Sequence, residues 1–305
     1  MKATSYESIE KILLPLDCIG DANDFIPLVN QLFLKHNAQI HVLKVVDSNF
    51  LGSGTAFSGK FIFHGNEVMK SAHEQVGDFV NSLKENGISD VSFEVIVGGV
   101  QDVVDNYIQN NGIDLVVMHL PKSERTKRYF NTDSYRVISK CAVPVLAVPR
   151  QGRFTRFKKI IYPVRPVDGV ISKLNTLVPL VSDSEAVVHL VGISEGESHI
   201  QVESIKNAMQ FLKVRIRRRK LTLGGMDSLV SETPSKTILK ISKSTKPDLI
   251  VVNVTTHKPF RKWFHRNFTQ NLVYSSQVPV LFYKKREPED LLDKYVQMPY
   301  PMFPV

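Results

Sequence analysis

The chain carries one series of segments twice. Lys11-Ile12-Leu13-Leu14-Pro15-Leu16-Asp17 returns as Lys159-Ile160-Ile161-Tyr162-Pro163-Val164-Arg165. Gly112-Ile113-Asp114-Leu115-Val116-Val117-Met118 returns as Lys246-Pro247-Asp248-Leu249-Ile250-Val251-Val252. Val143-Pro144-Val145-Leu146 returns as Val278-Pro279-Val280-Leu281. Three matched segments in one order imply two copies of one domain. Each copy must then complete its own core within roughly 140 residues, close to the common domain size. A 305-residue chain that is 43% hydrophobic has the material for two such cores. The reading is a domain over 1–150, a second over 151–285, and a Pro-rich tail over 286–305.

Between the matched segments the pattern alternates. Lys11–Leu16 is a short apolar run, read as a buried strand. Phe25, Leu28, Val29, Leu32 and Phe33 fall at helical spacing, with Pro27 in the expected first turn. Ala38–Val46 reads as a second strand and Glu67–Glu85 as a helix stopped at Asn86-Gly87. A strand over Asp90–Val97, a helix over Val100–Gln109 and a central strand over Asp114–Met118 follow. A helix of about Asp133–Lys140 and a strand over Val143–Val148 complete the copy. Offsets of 148 residues early and 134 later leave the first copy about 14 residues longer, within the Gly-, Ser- and Phe-rich segment Ser48–Asn66. In the second copy the clear strands are Ile160–Val164, Ala186–Ile193, Leu249–Val254 and Val278–Tyr283. Val214–Lys220 either ends a helix or begins a strand. Continuous apolar strands alternating with helices imply a parallel sheet covered on both faces.

Composition narrows the function classes. The net charge of +9 favours anionic partners in general. No stretch approaches the roughly 18 apolar residues of a membrane span. The polar, acidic first residues do not read as a secretory signal. Cys18 and Cys141 read as reduced, buried thiols, and the expected location is the cytoplasm. His64, His73 and His119 match no compact metal spacing, so no metal is expected. His41 and His189 recur at one place in both copies, which suggests a shared packing role. There is no nucleophile elbow, no His-Glu-x-x-His and no Walker loop, so the chain is not read as an enzyme. Asp133 and Ser134 read as helix-start caps.

The opening strand with Pro-x-Asp, the Asp-Leu-Val-Val-Met strand and the closing Val-Pro-Val-Leu strand resemble the universal stress protein family in its tandem two-domain form. The resemblance covers about residues 9–149 and 157–284. It implies two doubly wound α/β domains of the adenine-nucleotide alpha-hydrolase-like type, each a five-stranded parallel sheet flanked by helices. It also implies that the two copies pack as a pseudo-dimer within the chain, with a homodimer left open. Ligands of such sheets bind outside the carboxyl ends of the strands.

In the ATP-binding branch of that family, an Asp after the first strand and a Val ending the second hold adenosine. A Gly-x-x-Gly loop, followed nine residues later by Gly-Ser or Gly-Thr, wraps the phosphates. Here Asp17, Val45 and Met118 match the adenosine side and the end of the fourth strand. The glycine positions hold His119 and Lys122, and the Gly-Ser position holds Asn131-Thr132. In the second copy Asn253 and Thr256 replace the first glycines, Arg266-Asn267 replaces Gly-Ser, and Arg165 replaces the Asp.

Both loops that lost their glycines are basic and aromatic. Arg125, Lys127 and Arg128 in the first, and Arg261, Lys262 and Arg266 in the second, are candidate anion-binding residues. The competing reading is a solvated loop whose aromatics, Tyr129, Phe130, Trp263 and Phe264, fill the emptied pocket or pack between domains. The run Arg215–Lys220 is the densest in positive charge, but no recognition helix or RNA-binding motif accompanies it, so specific DNA or RNA binding is not expected, and a nucleic-acid-associated basic protein stays a third reading. The expectation is a cytosolic, non-enzymatic stress-response protein that binds an unknown protein partner or a small anionic ligand, with no cofactor assigned. The alternative is an ATP or adenine-nucleotide sensor using the first domain alone.

Overall fold

The computed structural model describes residues 8–18, 22–47, 60–121, 133–152, 154, 156–181, 185–196, 198–254 and 266–284, the side chains of 18, 22–24, 60–65, 133, 266 and 267 excepted. The chain forms two compact units, one built on Ile9–Thr155 and one on Arg156–Val305.

In the first unit the apolar runs form β1 (Lys11–Pro15), β2 (Gln39–Val46), β3 (Val91–Val97), β4 (Leu115–His119) and β5 (Val145–Val148). They pair in the order β3-β2-β1-β4-β5, all parallel. The helices are α1 (Ala22–His36), α2 (Lys60–Glu85), α3 (Val100–Asn111) and α4 (Asp133–Lys140). α1 touches α2, and α3 touches α4. Right-handed crossovers put these pairs on opposite faces of the sheet. β1, β4 and β5, covered on both sides, are buried almost throughout, whereas β3 at the edge is half exposed.

The second unit repeats the plan with β6 (Lys159–Val164), α5 (Lys173–Val181), β7 (Val187–Ser194), α6 (His199–Arg218), β8 (Thr222–Val230), α7 (Pro234–Thr245), β9 (Leu249–Asn253), α8 (Arg266–Ser275) and β10 (Val280–Tyr283). Its order is β8-β7-β6-β9-β10, again parallel. Each unit is therefore the expected five-stranded doubly wound sheet.

The repeated aspartates turn out to be clamps. Asp114 Oδ2 accepts the backbone N–H groups of Glu10 at 2.9 Å and Lys11 at 3.0 Å. Asp248 Oδ2 accepts those of Lys158 at 3.0 Å and Lys159 at 2.8 Å. The lysines return the tie: Lys11 Nζ donates to the Asn111 carbonyl at 2.9 Å, and Lys159 Nζ to the Thr245 carbonyl at 2.5 Å. Each lysine thus satisfies an orphan carbonyl at a helix C-terminus and offsets its negative end. A charged acceptor on two amides fixes where the first strand of each sheet begins.

Several local expectations shift. α1 begins at Ala22 rather than Phe25, which puts Pro27 in its second turn. α2 begins at Lys60, seven residues before the expected start, because the apolar–polar alternation there lacks a cap signal. Asp133 and Ser134 are the first two residues of α4 rather than its caps. Val214–Lys220 ends a helix, and the strand that follows, β8, was not anticipated. Its Gly224-Gly225 pair weakens the strand signal, yet both glycines face His189 of β7: a Cβ on Gly224 would lie 2.5 Å from His189 Nε2. The segment 48–59 and the tail 286–305 lie outside the described residues.

Candidate functional site

After β1 the chain makes one 3-10 turn, Leu16–Cys18, which carries Asp17 past the carboxyl end of the sheet. Register pairs Pro15 with Leu43, so Asp17 stands beside the last residues of β2. Its Oδ2 accepts the Val45 N–H at 2.8 Å, and its Oδ1 lies 2.5 Å from Lys44 Nζ. The ion pair keeps partial contact with solvent, with side-chain exposures of 20% and 18%.

This pair forms one wall of a cleft of about 440 Å³. Asp17, Lys44, Val45, Val46 and Asp47 line it from the strand side. Glu67, Val68, Ser71, Ala72 and Gln75 line it from α2, and Val100 closes it at the start of α3. Such a volume is within the range of small-ligand sites. Its wall offers carboxylates, one ammonium, a hydroxyl and an amide around an apolar strip, and among these lining residues there is neither His nor Cys. The set suits hydrogen bonding to a polar ligand.

Of the sequence candidates, Asp17 and Val45 come together here. Met118 and His119 are buried in the core, and neither lines the cleft. His119 stands edge-on to Phe25 with ring centroids 4.7 Å apart. Lys122, Arg125, Lys127, Arg128, Asn131, Thr132, Arg261 and Lys262 lie outside the described residues. Arg266 opens α8, with its side chain outside them. Sequence reasoning missed Lys44, although a lysine inside the otherwise apolar core of β2 was a visible signal. It also missed Ser71 and Gln75, whose place depends on how α2 lies across the strand ends.

The corresponding place in the second unit is built differently. Arg165 stands where Asp17 does and is 4% exposed. Its Nη2 donates to Glu195 Oε1 at 2.9 Å, and its guanidinium lies 3.9 Å from the centroid of the Phe268 ring. Burial pushes the Arg165 guanidinium below its ordinary value, opposed by the hydrogen bond and charge of Glu195. Lys173 is also buried, with Nζ 2.5 Å from the Pro163 carbonyl and 4.2 Å from the centroid of the Tyr162 ring. Opposite Lys44 stands Gly192, where an added Cβ would lie 2.7 Å from Ile205 Cγ2 and from Met209 Sδ. α6 therefore packs directly onto β7 at the position where the first unit holds its lysine.

Residues 8–149 match the family model described as the Universal stress protein family. The first unit is thus a match to the universal stress protein family. No curated protein sequence matches it significantly. Among solved structures it is similar to a universal stress protein from Archaeoglobus fulgidus DSM 4304, with 18% identity, a TM-score of 0.71, and coverage of 94% of this chain and 100% of that one. It is also similar to a functionally unknown protein from Pseudomonas aeruginosa PAO1, with 13% identity, a TM-score of 0.60, and coverage of 97% and 98%. At these identities the likeness carries the fold of both units.

Within the universal stress domain His41 is buried in a hydrogen-bonded cluster away from the cleft. Its Nε2 lies 2.9 Å from Gln39 Oε1, and its Nδ1 lies 3.1 Å from both Tyr107 Oη and Ser92 Oγ. An amide oxygen only accepts, so Nε2 carries the proton and Nδ1 is the acceptor. Burial, then the charge of Lys11, lowers the His41 pKa against a smaller opposing effect of Asp90. Burial, together with the charge and hydrogen bond of Glu94, pushes Tyr107 up to about 12. His73 binds the Met69 carbonyl on its own helix at 2.8 Å. Among the described residues no group of His, Cys, Asp and Glu could hold a metal, and no helix is long and apolar enough to cross a membrane. Cys141 is buried and in no disulfide among the described residues.

Proposed function

We propose that this universal stress protein works without catalysis, by holding a small polar ligand in the cleft of its first unit, with the second unit as a filled counterpart. One observation carries the reading: the cleft opens at the carboxyl ends of β1 and β2, where doubly wound sheets bind ligands, and Asp17 and Val45 stand on its wall. The described wall holds three carboxylates and one ammonium, and that ammonium is already paired with Asp17. Lys122, Arg125, Lys127 and Arg128, in the basic chain between β4 and α4, are the sequence's candidates for the counter-charge of an anionic ligand. Adenine nucleotide is the specific alternative, favoured by the Asp17–Val45 junction that the family uses for adenosine.

The test begins with the chain purified without added nucleotide, denatured, and its released small molecules identified by mass spectrometry. Calorimetric titration with ATP, AMP and adenosine follows, on the parent, on Asp17→Ala and on Ser71→Trp. Saturable nucleotide binding lost in both variants supports the nucleotide reading. A released non-nucleotide ligand that Ser71→Trp excludes supports the general one. No released molecule and no heat from any titrant would remove both.

A further inference from the structure

The amino ends of the strands in the second unit carry a feature that the cleft does not use. Thr222 N–H binds the Ala186 carbonyl, Val187 N–H binds the Lys158 carbonyl, and Asp248 N–H binds the Lys159 carbonyl. These links draw Lys158, the end of α6 and the end of α7 into one edge, spanning β8 to β9 over three strand spacings, or about 14 Å. Along that edge Lys158, Arg217, Arg218, Arg219, Lys220 and Lys246 are all exposed. The facing carboxylates among the described residues are Glu185 and Asp248, and Asp248 is occupied by its two backbone amides.

Helix ends explain only part of this charge. A helix C-terminus is equivalent to about half a negative charge, so one cation on each of α6 and α7 would suffice. The backbone supplies a second, independent sign. Lys220 and Lys246 sit in left-handed conformation, with φ of 58° and 46°. At the matching places the first unit has Gly87 and Gly112, with φ of 90° and 65°. The matches are structural: Gly87 N–H binds the Lys84 carbonyl and Ile88 N–H the Leu83 carbonyl, as Lys220 binds Arg217 and Leu221 binds Ile216. Gly112 and Lys246 both cap the helix that precedes the fourth strand of their unit. A residue with a Cβ is strained in this region, and glycine is the default there. The third exchange, Glu10 to Lys158, reverses a charge. Glu185 on the same edge also has a left-handed φ, of 51°, so the sign rests on the two glycine-to-lysine exchanges and the reversed charge at Lys158, which together add cations at a conformational cost.

We propose that this edge is a docking surface for the phosphate backbone of nucleic acid, read without sequence preference. Forked guanidiniums at Arg217, Arg218 and Arg219 suit phosphate oxygens. Among the described residues none of the exposed large apolar side chains of this unit stands on the edge: Ile200, Leu229 and Val230 belong to the other end of the strands, and Val214 lies further back in α6. A bilayer therefore finds cations there but nothing to insert.

The test uses the full chain with Lys158→Glu, Lys220→Gly and Lys246→Gly combined. The glycines restore the conformationally preferred residue, so this variant folds and its melting temperature holds or rises. Binding is read by fluorescence anisotropy on a labelled DNA duplex and an RNA strand of mixed sequence between about 50 and 200 mM salt. The parent is expected to bind both, with affinity falling steeply with salt, and the variant to lose at least tenfold in affinity. Its salt slope on duplex should fall by up to about 2.7, at about 0.9 for each phosphate that is no longer neutralised. Absence of parent binding at the lower salt, equal binding by the variant, or sedimentation with phosphatidylserine vesicles in place of nucleic acid would each overturn the proposal.

Discussion

The two units share one backbone plan and disagree about the same square of surface. In the first, a carboxylate follows the opening strand and pairs with a lysine of the next strand, beside an open cleft. In the second, the charges are exchanged, with Arg165 in the place of the carboxylate and Glu195 answering it. At the strand position of Lys44 stands Gly192, onto which Ile205 and Met209 close. The glycine leaves room there for the side chains of α6, whereas Lys44 lines a cleft. The two places thus differ in a few side chains at the strand ends, since the sheet and its order are common to both.

The largest effect should come from breaking the second unit's substitute. Arg165→Ala leaves Glu195 without its guanidinium and Phe268 without its stacked neighbour. A loss of about 2–4 kcal/mol is expected in urea unfolding of that unit, mainly from lost packing at a buried site, since Glu195 keeps contact with solvent. Asp17→Ala, whose pair is partly solvated, should cost far less, about 1 kcal/mol or below. Equal losses in the two units would contradict the contrast between a filled place and an open one.

Next in size is Gly192→Ala. Its Cβ meets two side chains at 2.7 Å, so overpacking of about 1–3 kcal/mol is expected. Lys44→Ala in the first unit should be tolerated within about 1 kcal/mol, measured by the same denaturation curves. A neutral Gly192→Ala would mean that α6 does not hold the cleft position closed.

Asp114→Ala and Asp248→Ala sharpen the comparison from the opposite side, because here the units agree. Each variant removes one acceptor from two amides, and both should lose about 1–2 kcal/mol by equal amounts. Hydrogen exchange should report faster amides at Glu10 and Lys11 in one case and at Lys158 and Lys159 in the other.

The smallest effect concerns pH. His41 is lowered in the fold from its ordinary 6.5. The unfolded chain therefore takes the proton first. The stability this histidine contributes is fully present above about 6.5 and is lost as pH falls through the lower folded value. Urea midpoints of the first unit should drop on acidification, and His41→Gln should flatten that dependence. A parent and variant with parallel pH profiles would remove His41 as the cause.

Much of this was legible in the chain itself. Apolar runs of strand length, amphipathic spacing and two copies in one order implied parallel sheets covered by helices, because those signals are local and repeated, and the family resemblance implied five strands in each. The matched Asp114 and Asp248 were visible as a repeat, but not as clamps, since their amides lie more than 80 residues away. β8 escaped because two glycines interrupt its pattern, and their reason, the ring of His189, belongs to a different strand. Asp17 and Val45 were named by their motif and lie together on the wall of the cleft, whereas Lys44, which lines it too, was not named.

What the sequence by itself determined is the fold of each half and its repetition, because periodicity and capping act over neighbouring residues. What only the tertiary structure decided is which half keeps an opening and which edge collects charge. Both depend on side chains from separate elements meeting at strand ends. Such meetings are set by how helices lie across the sheet, a distance in space that spacing along the chain does not record.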